Sequence, residues 1–140
     1  MKKEILALNY FNNEYNCAQS VLKVFEKEFN ITEDIIKMGK GLGGGIGRSG
    51  LVCGALNAGC MIISKEFSNL EKIELNKKIF NFVKEFKKIN GSENCGTLLG
   101  FDLWNDEERE QAKNSGKIEN VCSVCIISTV KLLNKEFNLE

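Results

Sequence analysis

The chain has 140 residues, of which 43% are hydrophobic and 27% charged, and its formal net charge is zero. That length predicts one domain, residues 1–140, with a hydrophobic core of its own, and the composition is that of a folded protein rather than a disordered one. Without a basic field, nucleic acid and anionic membrane surfaces are not expected as partners.

Two residue types are missing. The chain has no histidine, which removes the usual general base, the commonest nitrogen ligand and any Cys-His pair. It also excludes a c-type haem, whose attachment signature ends in histidine. The chain has no proline either, so glycine alone is left to break helices. The start, "MKKEILALNYFNNEYN", has an apolar run too short for a signal peptide. No stretch reaches the eighteen or so apolar residues of a membrane span. The expectation is a cytoplasmic protein without membrane insertion. Structural disulfides are rare there, so the six cysteines point to metal, cluster or redox chemistry.

In chain order, residues 2 to 11 read as a short helix with Ile5, Leu6 and Leu8. From Tyr15 to Asn30 the stripe Ala18, Val21, Leu22, Phe25 and Phe29 has the i, i+3, i+4 rhythm of an amphipathic helix, with Cys17 in its first turn. Thr32 is a good N-cap for a brief helix over Glu33 to Met38, which Gly39 can end. A glycine run follows. The next helix is predicted from near Ser49 to Ser64. A long one follows over "NLEKIELNKKIFNFVKEFKKIN", with Ile73, Ile79, Phe80, Val83 and Phe86 inward. "GSENCGTLLGFDLW" reads as a connector holding Cys95, and Asp106 to Glu110 as a solvated helix start. The last helix is predicted over about Asn120 to Phe137; its apolar face is a candidate dimer surface or core face. No strand pattern of adequate length appears. The prediction is an all-α single-domain bundle of four to five main helices with a Gly-rich loop between helices.

Residues 39–50 contain seven glycines. Within them "GIGRSG" fits G-x-G-x-x-G, but a dinucleotide site needs a strand before the loop, and here a helix precedes it. A phosphate or nucleotide site over Gly43 to Gly50 is therefore a minor alternative. Glycines still permit runs of inward N–H groups that hold anions, and an anionic metal–sulfur cluster suits such a nest as well as a phosphate does. The plainer reading is a tight crossover with Arg48 merely exposed.

Cys53 and Cys60 are seven apart on one predicted helix and share a face, but a rise of about 10.5 Å keeps them from pairing. Cys122 and Cys125 form a C-x-x-C at a predicted helix start; Cys17 and Cys95 also lie at or near helix starts or in a loop, and Cys53 in the first turns after the glycine run. Cys17, Cys53, Cys95 and Cys122 are thereby placed where thiolates are favoured. The thioredoxin reading of that motif needs a βαβ context that is missing. Any single cysteine could be a buried small hydrophobe, Cys60 above all; all six together do not read that way.

The segments "NCAQSVL" around Cys17, "GGGIGRSGLVCGAL" around Cys53, "NCGTLLGFD" around Cys95 and "CSVCIISTVKLL" from Cys122 resemble the redox-active family named C_GCAxxG_C_C after its cysteines. The resemblance covers almost the whole chain. It implies a small all-helical redox protein whose characteristic cysteines are Cys17, Cys53, Cys95 and Cys122. That family is in turn similar to a domain of the split-Soret cytochromes, for which iron–sulfur binding has been suggested. One departure lies in "CGALNAG", where Ala58 stands in place of the closing glycine of CGAxxG and Gly59 follows it. Cys60 and Cys125 are extras to the pattern, as spare ligands, resolving thiols or core residues.

On this reading Cys17, Cys53, Cys95 and Cys122 converge and either ligate an iron–sulfur cluster for electron transfer or act as redox thiols. Gly43, Gly44, Gly45 and Gly47 would supply amides and Arg48 a nearby charge. A structural zinc site with four thiolates is an alternative, although such sites usually use two close C-x-x-C pairs and only one exists here. The redox partner is not named by the sequence, and a homodimer is open.

Overall fold

The computed structural model describes residues 2–139. Among them are eight α-helices and one 3-10 turn, with no strand beyond a single isolated bridge. The all-α expectation holds, but eight helices replace the four to five predicted. The added ones are short and are set by glycines and caps rather than by hydrophobic periodicity, which needs more than a turn or two to register.

Helix α1 spans Lys3–Asn13 and α2 spans Cys17–Val24. α2 starts on a reciprocal cap: the Asn16 side chain accepts from the Gln19 amide while the Gln19 side chain accepts from the Asn16 amide, an arrangement worth about 1 kcal/mol. It stops at Val24, earlier than predicted. The stripe residues Phe25 and Phe29 are nevertheless buried, carried in by the turns that follow. Helix α3, Glu33–Met38, has the Thr32 cap read from the sequence. The 3-10 turn covers Lys40–Leu42.

Helix α4 spans Gly54–Glu66, not 49–64. The residues before it are held in a left-handed loop that no right-handed helix can include. Helix α5 spans Lys72–Asn90. It buries Phe82 and Phe86, while Ile73 and Phe80, predicted inward, are mostly exposed. The absence of a side chain at Gly59 explains the choice of Phe82: a Cβ there would lie 2.6 Å from the Phe82 ring. Gly59 thus serves as a close-packing position between α4 and α5, and Ala58 before it is fully buried.

Helix α6, Cys95–Leu99, stands inside the predicted connector, and α7 spans Asp106–Asn114. Three carboxylates, Asp106, Glu107 and Glu108, occupy the first turn of α7, where they complement the helix dipole. Helix α8 spans Lys117–Glu136 and begins about one turn earlier than predicted.

The main core forms where α2, α4 and α8 meet, with α1 and α5 packed outside. Leu22, Phe25, Leu56, Ile63, Ile126 and Leu133 are almost fully buried there. Each contributes about 1.5–3 kcal/mol of transfer free energy. A second, smaller cluster joins Cys95, Leu99, Leu103 and Ala112, with Ile118 and Cys122 against it. Most of the apolar residues of α8 pack on these two cores, while Val124 stays exposed. No helix among the described residues is long and apolar enough to cross a membrane.

Candidate functional site

Between the two cores lies a cavity of about 430 Å³ lined by Cys17, Cys53, Cys95, Cys122 and Cys125. Separate devices bring these five sulfurs from four segments. Cys17 is the first residue of α2. The Asn16 side chain before it donates to the carbonyls of Gly39 (3.1 Å) and Lys40 (2.9 Å), which ties that helix start to the glycine segment. Cys53 and Cys95 are joined by a short antiparallel pairing at Val52 and Asn94. The Cys53 amide donates to the Glu93 carbonyl (2.8 Å) and the Cys95 amide to the Leu51 carbonyl (2.7 Å). Cys122 and Cys125, one turn apart on α8, supply the facing wall. Cys60 stands away from this group, in a separate apolar pocket with Leu22, Ile31 and Met61.

The glycine loop is the most unusual backbone in the chain. Residues 44–48 all have positive φ, including Ile46 (66°) and Arg48 (65°), a conformation that costs a residue with a side chain about 1–2 kcal/mol. Internal hydrogen bonds hold it. The amides of residues 46–51 all donate to carbonyls within 41–46. The expectation of a loop full of inward donors is narrowed accordingly. Within residues 43–51 the amides that remain without a partner among the described residues are those of Gly43, Gly44 and Gly45. Gly43, Gly44, Gly47 and Arg48 line the cavity. Gly45 does not: a Cβ at Gly45 would lie 2.5 Å from the Leu51 backbone and 2.9 Å from Cys95 Cβ, so its role is to let the loop pack on the Cys95 segment.

The sulfurs differ electrostatically. Cys53 occupies the N-cap position of α4. Its thiol is held well below the ordinary value of 9.0: the Cys125 and Cys17 thiols donate to its sulfur, and so do the Leu56 and Ala55 amides, which together outweigh burial. The two thiol donors are the larger part of the effect, and the helix-start amides add to it. Sequence spacing gave a thiolate-favouring position to Cys17, Cys53, Cys95 and Cys122; of these only Cys53 is lowered, and α8 starts at Lys117, so Cys122 lies beyond the free amides. Burial, with the neighbouring Cys95 and Cys53 charges, pushes Cys122 up to about 12. Burial and the Cys53 charge raise Cys95 to about 11. Cys17 and Cys125 are raised because each spends its proton on the Cys53 sulfur, with burial adding to the shift. Cys60 rises to about 11 through burial alone.

Sequence reasoning missed two residues of the wall, Lys40 and Arg109, and assigned Cys125 no fixed role. Both arginines of the chain line this one cavity, and no Asp or Glu among the described residues does. The signal was there for Arg109: it is one of only two arginines in a chain whose other cations are lysines.

The five cysteines of the cavity are the candidate ligands for any metal or cluster. Among the described residues no three His, Cys, Asp or Glu side chains stand as a ready single-ion site. The sulfurs are instead spread around a cavity, and four thiolates are the full complement of a two-iron or four-iron cluster. Cys17, Cys53, Cys95 and Cys122 could hold it, with Cys125 adjacent.

No solved structure matches the chain. An uncharacterized protein of Archaeoglobus fulgidus is 31% identical over 120 residues, covering 75% of this chain and 80% of that protein. The family described as "Putative redox-active protein (C_GCAxxG_C_C)" matches residues 15–136, a span that contains all six cysteines and the glycine loop, and the chain belongs to that family.

Proposed function

We propose that this is a redox protein in which Cys17, Cys53, Cys95 and Cys122 hold an iron–sulfur cluster that stores and passes single electrons. The observation that carries the reading is the gathering of five of the six cysteines, from four segments, on one cavity. A core that only needed small hydrophobes would have no reason to group them. When bound, the cluster would supply one-electron chemistry at a potential set by its surroundings. The chain's own contribution is to shape those surroundings. Leu98, Leu99, Leu103, Ile118 and Val121 form an apolar wall that keeps water from the sulfurs. The unpartnered amides of Gly43 and Gly44, with Arg48, offset negative charge and thereby raise the potential.

The test is anaerobic purification, with an absorption spectrum and iron, acid-labile sulfide and zinc assays on one sample. Brown protein with iron and sulfide in equal stoichiometry supports the reading. Protein that stays free of iron and sulfide, even after reconstitution with ferrous iron and sulfide, refutes it.

A second reading has an observation of its own. Cys17, Cys53 and Cys125 line the same cavity, and hydrogen bonding from Cys125 and Cys17 pulls the Cys53 thiol well down, so a thiolate faces two potential resolving thiols. A metal-free dithiol–disulfide protein would use that trio. A single-step, two-electron redox titration of metal-free protein, lost in Cys53→Ser, would favour it.

A further inference from the structure

The cations on the cavity wall carry an inference that does not depend on a cluster. Arg48 and Lys40 make no side-chain hydrogen bond or ion pair among the described residues. Elsewhere on the chain six lysine side chains are paired with carboxylates. Arg109 donates to the Leu103 carbonyl (3.0 Å) and to the exposed carboxylate of Asp106 (2.7 Å). That uses two of its five N–H donors and leaves three.

The backbone shows that Arg48 is held where it is at a cost. Its φ is 65°, in a region that residues with side chains seldom adopt. A Cβ on Gly44 would lie 2.8 Å from the Arg48 Cα and 2.9 Å from its Cγ, so Gly44 must be glycine for the loop to close on residue 48. Loop residues held in sparse conformations are typical of ligand clamps. The 430 Å³ volume falls in the lower part of the range for small-molecule pockets, about 300–1,000 Å³. A wall with two unpaired cations, a third that shares its charge with Asp106, and two free amides is complementary to a small anion.

We propose that the mouth of the cysteine cavity binds a small oxoanion between Arg48, Arg109 and Lys40. Such a ligand would sit beside the sulfurs, which makes an oxoanion the class of small molecule this protein recognises. Arg48 and Arg109 supply planar, charge-assisted donors, Lys40 a point charge, and Gly43 and Gly44 neutral N–H groups.

The experiment is calorimetric titration of inorganic phosphate into the full chain, purified anaerobically in low-salt buffer, with sulfate as a second probe. The expected result is one saturable site per chain, weakened by added salt. Arg48→Gly and Arg109→Gln should each weaken binding by about tenfold or more, the loss of one charged hydrogen-bond donor. Arg48→Gly suits residue 48 because glycine accepts its φ without strain, and a urea transition on the same sample shows that it folds. Absence of saturable binding to the unmodified chain overturns the proposal, and so does binding of equal strength in both variants. Iron and sulfide assayed on the same sample separate the two readings. Phosphate binding by iron-free protein supports this proposal on its own, whereas iron-loaded protein that binds neither anion overturns it and leaves the cluster reading intact.

Discussion

The Sγ of Cys17 lies 2.6 Å from the point where a Cβ on Gly54 would sit. Gly54 is the first residue of α4 and directly follows the Cys53 cap. The missing side chain is what lets the α2 sulfur approach the Cys53 sulfur and donate its hydrogen bond. Gly54→Ala would also press on the Leu42 carbonyl, 2.9 Å from the same point. The gain in helix propensity, up to about 1 kcal/mol, is outweighed by overpacking of about 1–3 kcal/mol. The variant should unfold at lower urea and lose the Cys17–Cys53 contact. Unchanged stability would mean that Cys17 is not held against this helix start.

Cys53 should be ionised in reduced, metal-free protein well below pH 9. A thiolate absorbs near 240 nm and a thiol does not. An acid titration followed at that wavelength should show one thiolate persisting at pH 6, lost in Cys53→Ser and kept in Cys60→Ser. Loss of all thiolate absorbance between pH 9 and 8 would contradict the hydrogen-bonding assigned to Cys53.

The thiols with raised values act in the opposite sense on stability. Cys95, Cys122 and Cys60 keep their protons to about 11 or 12 when folded, but release them near 9 when unfolded. Above pH 9 the unfolded chain binds fewer protons than the folded one, so stability falls as pH rises. Each such thiol removes about 1.4 kcal/mol per pH unit until its folded value is reached. Cys53, with a lowered value, adds stability as pH rises toward 9 and none beyond it. Urea transitions of metal-free protein from pH 8.5 to 11 should therefore move to lower denaturant, with a shallower decline in Cys122→Ala.

The loop predicts a contrast between two substitutions four residues apart. Arg48→Gly removes the strain of a positive φ and should leave stability unchanged or raised by up to about 1 kcal/mol, after the entropy gained by the unfolded chain. Gly44→Ala places a Cβ 2.8 Å from the Arg48 Cα at a φ of 67°. It should destabilise by about 2 kcal/mol or more. Thermal unfolding of both variants checks this, and equal effects would remove the account of the loop.

Periodic features were legible in the sequence, and local ones were less so. The stripe Ala18, Val21, Leu22, Phe25 and Phe29 is buried as read, and the Thr32 cap and Gly39 stop bound α3 where expected. The start of α4 was misplaced because a left-handed run that includes Ile46 and Arg48 is not a pattern that propensity anticipates. Helix α6 was missed because five residues carry no period. At the site, the residue flanks of the cysteines marked the four family positions. Four cysteines stood at expected thiolate positions, but only Cys53 is lowered, because that depends on which thiols donate to it across the cavity and not on helix starts alone. Phe80 and Phe82 exchanged roles because the partner surface is a glycine, Gly59, which only tertiary packing can reveal.

The central claim, that four cysteines from separate segments form one redox centre, is tested most directly by a serine series. Iron and acid-labile sulfide should be measured per chain, after anaerobic reconstitution, for Cys17→Ser, Cys53→Ser, Cys95→Ser, Cys122→Ser and Cys60→Ser. The account predicts that each of the first four loses most of its iron and sulfide while Cys60→Ser keeps the full complement. Equal loading in all five variants, or loss in Cys60→Ser alone, would contradict it.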